Sequence, residues 1–188
     1  MKKLLIALLA SVMLLLAACG DSNKEEPNQD TPETLITIKD VQYPLNTESL
    51  TLRNKEITDA DLADIVKLKN LKHLDLRMND IVNISALSAL TKLETLDLGG
   101  NEIADLKPLA ILTSLTVLDL RINNIANLSG LEKLINLTEL NLSTNDIQDA
   151  SLLFGLPYLE TLYLNGNLFE EGSQGSIRNA MPDCKIYF

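Results

Sequence analysis

LETLDLGGNEIADLKPLAILTS (93–114) is followed without a break by LTVLDLRINNIANLSGLEKLIN (115–136). The same spacing of apolar residues precedes them in LKHLDLRMNDIVNISALSALTK (71–92) and follows in LTELNLSTNDIQDASLLFGLPY (137–158). LETLYLNGNLFEEG then opens a further copy at 159. The start-to-start distance is 22 residues each time, and a regular period of this length governs how the chain is read. An earlier copy, SLTLRNKEITDADLADIVKLKN (49–70), has its strand two residues further back and so carries a two-residue insertion.

Within 93–114 the fixed positions are Leu93, Leu96, Leu98, Asn101, Ile103, Leu106, Leu109 and Leu112. The Leu-x-Leu step alternates, as a half-buried strand does. The later steps of three suit a tight helical turn, in which side chains at i and i+3 eclipse. Each copy is therefore a short strand, a turn and a 3₁₀-like return. One copy cannot bury its own leucines, and stacked copies merge them into a continuous core. The composition agrees: 46% of residues are hydrophobic but only 4% are aromatic, with no Trp. Rows of identical aliphatic side chains pack well; a Trp would not repeat.

The pattern L-x-x-L-x-L-x-x-N-x-L/I resembles the leucine-rich repeat family. The 22-residue spacing is closest to the class found in phosphatase-regulatory and internalin-type proteins, and the resemblance covers residues 47–170. It implies an α/β solenoid, a right-handed superhelix with a parallel β-sheet on the concave face and 3₁₀ or short helical turns on the convex face. It also implies that Asn79, Asn101, Asn123, Asn145 and Asn167 turn inward to bond backbone groups. Lys55 stands at that position in the first copy, which suits a terminal, capping repeat. The repeat domain is expected over 49–170. LITIKDVQYPLN reads as a β-hairpin around Lys39-Asp40, within an N-terminal β cap over 34–48. Residues 171–188 read as a C-terminal cap with a short helix and a final strand.

Residues 1–18, MKKLLIALLASVMLLLAA, join a basic start to an uncharged apolar run. The run is short for a bilayer core, which needs roughly 20 helical residues, and suits a signal peptide. Its end, Leu16-Ala17-Ala18-Cys19, resembles the lipobox of bacterial lipoproteins. That resemblance implies a covalent diacylglyceryl lipid on Cys19 and cleavage before it. Two acyl chains give stable anchoring where one does not. Residues 19–33 hold the acylated Cys and a stretch rich in acid and proline with no large apolar residue, a composition expected to stay disordered. The expected location is the extracytoplasmic face of a bacterial cell membrane, held by lipid alone.

The outward strand positions form columns: His73, Thr95, Val117, Glu139, Thr161; Asp75, Asp97, Asp119, Asn141, Tyr163; Arg77, Gly99, Arg121, Ser143, Asn165; and Met78, Gly100, Ile122, Thr144, Gly166. Neighbouring strands lie about 4.8 Å apart, so the three aspartates stack. A flat ladder offers calcium too few of the six to eight oxygens it takes, and Arg77 and Arg121 sit two residues along the same strands. The expectation is a salt-bridged surface ladder, with partner contact as the alternative. Val117, Ile122, Met78 and Tyr163 are expected as exposed groups the solenoid does not need. The candidate partner-binding residues are His73, Asp75, Arg77, Met78, Asp97, Val117, Asp119, Arg121, Ile122, Glu139, Asn141 and Tyr163. Six strands and roughly 15 Å of strand height give a face on the order of 400 Å². A stable interface takes about 800 Å² per partner, so a tight partner must also use the loop edges or a cap.

Net charge is −10, and no Lys/Arg cluster offers a nucleic-acid surface. One His and two Cys give no nucleophile–base pair, so no catalytic residue, metal site or further cofactor is expected. With Cys19 acylated, Cys184 has no intramolecular disulfide partner. The functional expectation is a membrane-anchored, monomeric binding module for an unknown protein or peptide, with a structural envelope lipoprotein or an internalin-like host-cell adhesin as the alternatives.

Overall fold

The computed structural model describes residues 35–188. The signal peptide, Cys19 and the acidic stretch to residue 33 lie outside the described residues. Two strands come first, β1 (Leu35–Ile38) and β2 (Val41–Pro44), paired antiparallel with Ile38 opposite Val41. Lys39 and Asp40 between them have φ of 46° and 64°, the left-handed pair that a two-residue hairpin turn requires. Ile38 is buried and Ile36 and Tyr43 pack against the core. Lys39 Nζ lies 3.1 Å from Asp61 Oδ2, tying the hairpin to the first repeat.

Seven three-residue strands then form one parallel sheet in chain order: β3 (Ser49–Thr51), β4 (His73–Asp75), β5 (Thr95–Asp97), β6 (Val117–Asp119), β7 (Glu139–Asn141), β8 (Thr161–Tyr163) and β9 (Lys185–Tyr187). From β4 to β8 the register is the sequence period itself: Leu74, Leu96, Leu118, Leu140 and Leu162 are partners in turn. The first and last steps are longer, Leu50 to Leu74 and Leu162 to Ile186. The first insertion falls between Ile57 and Leu62, both buried. There Asp61 Oδ2 accepts the Thr58 N–H and hydroxyl, and a short helix, α1 (Leu62–Ile65), replaces the 3₁₀ turn. The later returns are 3₁₀ turns at Ser85–Ala89, Lys107–Ile111, Leu131–Lys133 and Ser151–Leu153. The last step holds α2 (Ser173–Ala180), which buries Ile177.

The leucine and isoleucine rows are almost completely buried. Bends between strand and return expose backbone groups to that apolar interior, where an unpaired group is costly. The asparagine column supplies the partners. Asn101 Oδ1 accepts the Ile81 N–H (3.1 Å), and its Nδ2 donates to the Leu76 and Leu98 carbonyls (3.1 and 2.8 Å). Asn79, Asn123, Asn145 and Asn167 repeat this arrangement. Lys55 is exposed and takes no inward role; its N–H donates to Asn79 Oδ1.

A second ladder runs along the opposite side and was not read from the sequence. Oδ1 of Asn83, Asp105, Asn127 and Asp149 each accepts the N–H two residues on, at Ser85, Lys107, Ser129 and Ser151. These turns open each 3₁₀ return. Their signal is the Asn/Asp recurring every 22 residues, the same period as the leucines.

At β9, Arg178 Nη1 donates to the Ile186 carbonyl (2.9 Å), and its guanidinium lies 4.9 Å from the Phe188 ring centre. This occupies the outer side of the last strand, where a free backbone group would recruit another chain.

Candidate functional site

The open face of the sheet carries the outward columns. Seven strands, one more than the six counted for the face from the repeats, make it about 29 Å wide at 4.8 Å per step. Pairing aligns His73, Thr95, Val117, Glu139, Thr161 and Lys185 in one row, and Asp75, Asp97, Asp119, Asn141, Tyr163 and Tyr187 in the next. Lys185 and Tyr187 join the face through the longer last step, which the 22-residue period does not reach.

The aspartates and arginines form an unequal ladder. Arg77 is shared: its N–H, Nε and Nη2 donate to Asp75 (3.0, 3.1 and 2.7 Å), and Nε also lies 3.0 Å from Asp97 Oδ2. Arg121 Nε is 3.3 Å from Asp119 Oδ2, with a side chain 42% exposed against 29% for Arg77. Gly99 makes room for this, since a Cβ there would lie 3.2 Å from Arg121 Cγ. Burial pushes the Asp75 carboxyl up, but the Arg77 hydrogen bonds outweigh it and leave it below the usual carboxylate range. Asp97 goes the other way, to about 6. Burial is the main cause and the neighbouring Asp119 and Asp75 charges add to it; the Gly99 N–H and Arg77 do not compensate. The column is thus salt-bridged at all three aspartates, and Asp97 is the one whose carboxyl burial raises.

The fourth column departs from expectation. Met78, Ile122 and Thr144 are not strand residues but sit in the turn just after each strand, with φ of 56°, 54° and 57°. Gly100 and Gly166 hold the equivalent positions at 68° and 72°. Glycine adopts this conformation freely; a β-branched residue there is a genuine outlier. Met78 and Ile122 are each 52% exposed.

Val117 and Tyr163 are half-buried rather than exposed. Val117 stands between Thr95 and Glu139 in its row. Tyr163 stacks on Tyr187, with ring centres 4.8 Å apart and planes 8° from parallel, and Lys185 Nζ lies 5.1 Å from the Tyr187 ring centre. His73 and Glu139 are exposed, and Asn141 Oδ1 accepts the Ser143 N–H. Ser143 Oγ in turn donates to Asn165 Oδ1 (2.7 Å). The sheet therefore brings the sequence-selected residues onto one side, charged toward its beginning and aromatic-amide toward its end. Among the described residues, no group of three or more His, Cys, Asp or Glu is placed to hold a metal ion, and no helix is long and apolar enough to cross a membrane. Cys184 is half-buried against the core, and burial pushes its thiol up.

A family model described as Leucine Rich repeats (2 copies) matches residues 69–111, 91–133 and 113–151. Together with the parallel sheet, the buried leucine rows and the asparagine ladder, this decides the architecture. This is the leucine-rich repeat fold. Similar leucine-rich repeat structures include an internalin, InlF, of Listeria monocytogenes, 32% identical, covering 74% of this chain and 40% of that one, with a TM-score of 0.67. A leucine-rich repeat protein of Leptospira interrogans is 30% identical over 66% of this chain and 33% of its own, at 0.62. Internalin C2 of Listeria monocytogenes is 27% identical over 77% of this chain and 74% of its own, at 0.60. The chain thus spans well under half the length of the first two. No curated protein matches it by sequence.

Proposed function

We propose that the protein is a lipid-anchored binding protein on the extracytoplasmic face of a bacterial cell membrane, and that the open face of its leucine-rich repeat sheet recognises a protein or peptide. The observation that carries the reading is the content of that face. It presents a preorganised Asp–Arg ladder between exposed Met78 and Ile122 on one side and a tyrosine stack on the other. The buried rows need none of these groups. The anchor rests on Cys19 at the end of an apolar, basic-started segment, where a diacylglyceryl group in thioether linkage supplies the two acyl chains that stable anchoring takes. The internalin-like repeats support an interaction role by analogy of fold.

Proximity labelling from the full-length protein in its own cell, followed by mass spectrometry, tests the reading. A set of labelled partners that disappears with Arg121→Ala and Tyr163→Ala together, at unchanged protein level, supports it. Identical labelling with and without those substitutions overturns recognition by this face. Cys19→Ser is expected to move the protein from the membrane to the soluble fraction and to abolish incorporation of a labelled fatty acid. Retention of either refutes the anchor.

A further inference from the structure

The turn after β8 holds the one Asn-Gly pair of the sequence, Asn165-Gly166. An asparagine amide is open to attack by the backbone nitrogen of the next residue, which closes a five-membered ring. The side chain of that next residue is the usual obstacle, and glycine has none. Other asparagines of the repeats are guarded. Asn79, Asn101, Asn123 and Asn145 are buried, with Oδ1 and Nδ2 both engaged by backbone groups. Each of them precedes a residue that carries a side chain. Asn83 and Asn127 accept the N–H two residues on and precede Ile84 and Leu128.

Three features at position 165 favour ring closure. Asn165 is exposed, so water reaches its amide. Its Oδ1 accepts the Ser143 hydroxyl at 2.7 Å. That hydroxyl draws electrons from the amide carbon and stands where attack creates an oxyanion, as an oxyanion-hole donor does. The Gly166 N–H is the third feature. At the same turn of the preceding repeats, the N–H groups of Asn54, Met78, Gly100, Ile122 and Thr144 each donate to the neighbouring repeat, at 2.9, 2.8, 2.8, 2.9 and 2.7 Å. A nitrogen so held must break that bond before it can attack. The Gly166 N–H donates to no acceptor among the described residues.

We propose that Asn165-Gly166 is a self-modification site, at which the Gly166 nitrogen attacks Asn165 Cγ and the amide becomes a carboxylate. The new N–Cγ bond forms, the Gly166 proton passes to hydroxide, the Cγ–Nδ2 bond breaks and ammonia leaves. One water then opens the cyclic imide. Opening at Cγ gives aspartate on an unchanged backbone; opening at the main-chain carbonyl gives isoaspartate, with one more carbon in the chain. Water is the only co-reactant. Either product adds a negative charge beside Ser143 and two residues from Tyr163, at the aromatic-amide end of the open face. Isoaspartate also moves the Asn165 carbonyl that accepts the Thr144 N–H (2.7 Å) and, through the longer backbone, Asn167, the last rung of the asparagine ladder. The reaction itself stands apart from what the face binds. Its effect on binding rests on the open face being the recognition surface.

The test is ageing of the full-length protein at neutral and mildly alkaline pH, read by peptide mapping with mass spectrometry and an enzymatic assay for isoaspartate. Residue 165 is expected to exchange nitrogen for oxygen faster than any other asparagine of the repeats, at a rate that rises with hydroxide. The folded protein is expected to react at least as fast as the chain held unfolded in urea. Ser143→Ala is expected to slow the folded rate by about fivefold, the worth of one hydrogen bond, and to leave the unfolded rate unchanged. Asn165→Gln is expected to stop the reaction, because its ring closes with one more atom. Conversion at 165 that is slower in the folded protein than in urea, or no faster than at the guarded asparagines, overturns the site. A folded rate unmoved by Ser143→Ala refutes the part given to the hydroxyl. Asn165→Asp installs the product charge and is expected to change the set of proximity-labelled partners. Identical labelling refutes the effect on recognition and leaves the reaction standing.

Discussion

Asn101→Ala removes one rung of the ladder that holds the repeats together, and the loss can be counted group by group. The Ile81 N–H has Asn101 Oδ1 as its partner (3.1 Å) and is buried, so it is left orphaned. The two carbonyls fare better, because each is served twice. The Leu76 carbonyl keeps Asn79 Nδ2 at 2.8 Å, and the Leu98 carbonyl keeps Asn123 Nδ2 at 3.1 Å. One orphaned donor costs about 1–3 kcal/mol and each lost but backed-up bond about 0.5 kcal/mol, for a total of about 2–4 kcal/mol. That corresponds to a fall of about 5–15 °C in Tm for a domain of this size. Asn79→Ala is expected to cost about 1–2 kcal/mol more. Its Oδ1 serves both the Lys55 and Ile57 N–H groups. The Leu52 carbonyl also has no second amide, because Lys55 stands where a preceding asparagine would be. Urea unfolding followed by circular dichroism measures both, with equal slopes required for a direct comparison. A cost below about 0.5 kcal/mol for Asn101→Ala at unchanged slope, a size typical of plain surface changes, would refute the accounting. So would an Asn79→Ala cost smaller than that of Asn101→Ala.

Asp97 makes stability depend on pH. Its folded pKa of about 6 lies above the unfolded value, so its contribution is full below about pH 4 and is lost as pH rises through 6. Asp97→Asn is expected to remove about 1–3 kcal/mol of this pH dependence and to raise stability at pH 7; an unchanged profile between pH 4 and 7 counts against the buried carboxylate. Gly130 has φ of 108°, and a Cβ there would lie 2.8 Å from the Leu106 carbonyl oxygen. Gly130→Ala is expected to cost about 2–4 kcal/mol, while Gly155→Ala, with open space around it, stays within about 0.5 kcal/mol; chemical denaturation of the pair checks the contrast.

The period of 22 residues already contains the fold, because the stacking translation and the sequence offset are the same quantity. Leu96 and Leu118 are partners in the sheet for the reason that they occupy equal places in their repeats. The two-residue insertion in the first copy is legible for the same reason, and so is the hairpin at Lys39-Asp40, whose short turn flanked by alternating apolar residues is a local signal. Other features escape a periodic reading. Tyr187 meets Tyr163 only through a longer last step, so extrapolating the columns by 22 misses it. The left-handed turn is signalled by glycine in two of its six copies and by Asn54 in the first, and Met78, Ile122 and Thr144 conceal it.

The sequence by itself determined the architecture and the buried rows, since these follow from spacing and the polarity of each position. Only the tertiary structure decided how the outward groups share one another. Arg77 reaches both Asp75 and Asp97, Arg121 leans across Gly99, and Met78 lies over Gly100. Apart from Arg77–Asp75, these are contacts between repeats, set by side-chain rotamers and by the space a missing Cβ leaves. They have no period, and they are what gives an otherwise regular sheet a particular surface.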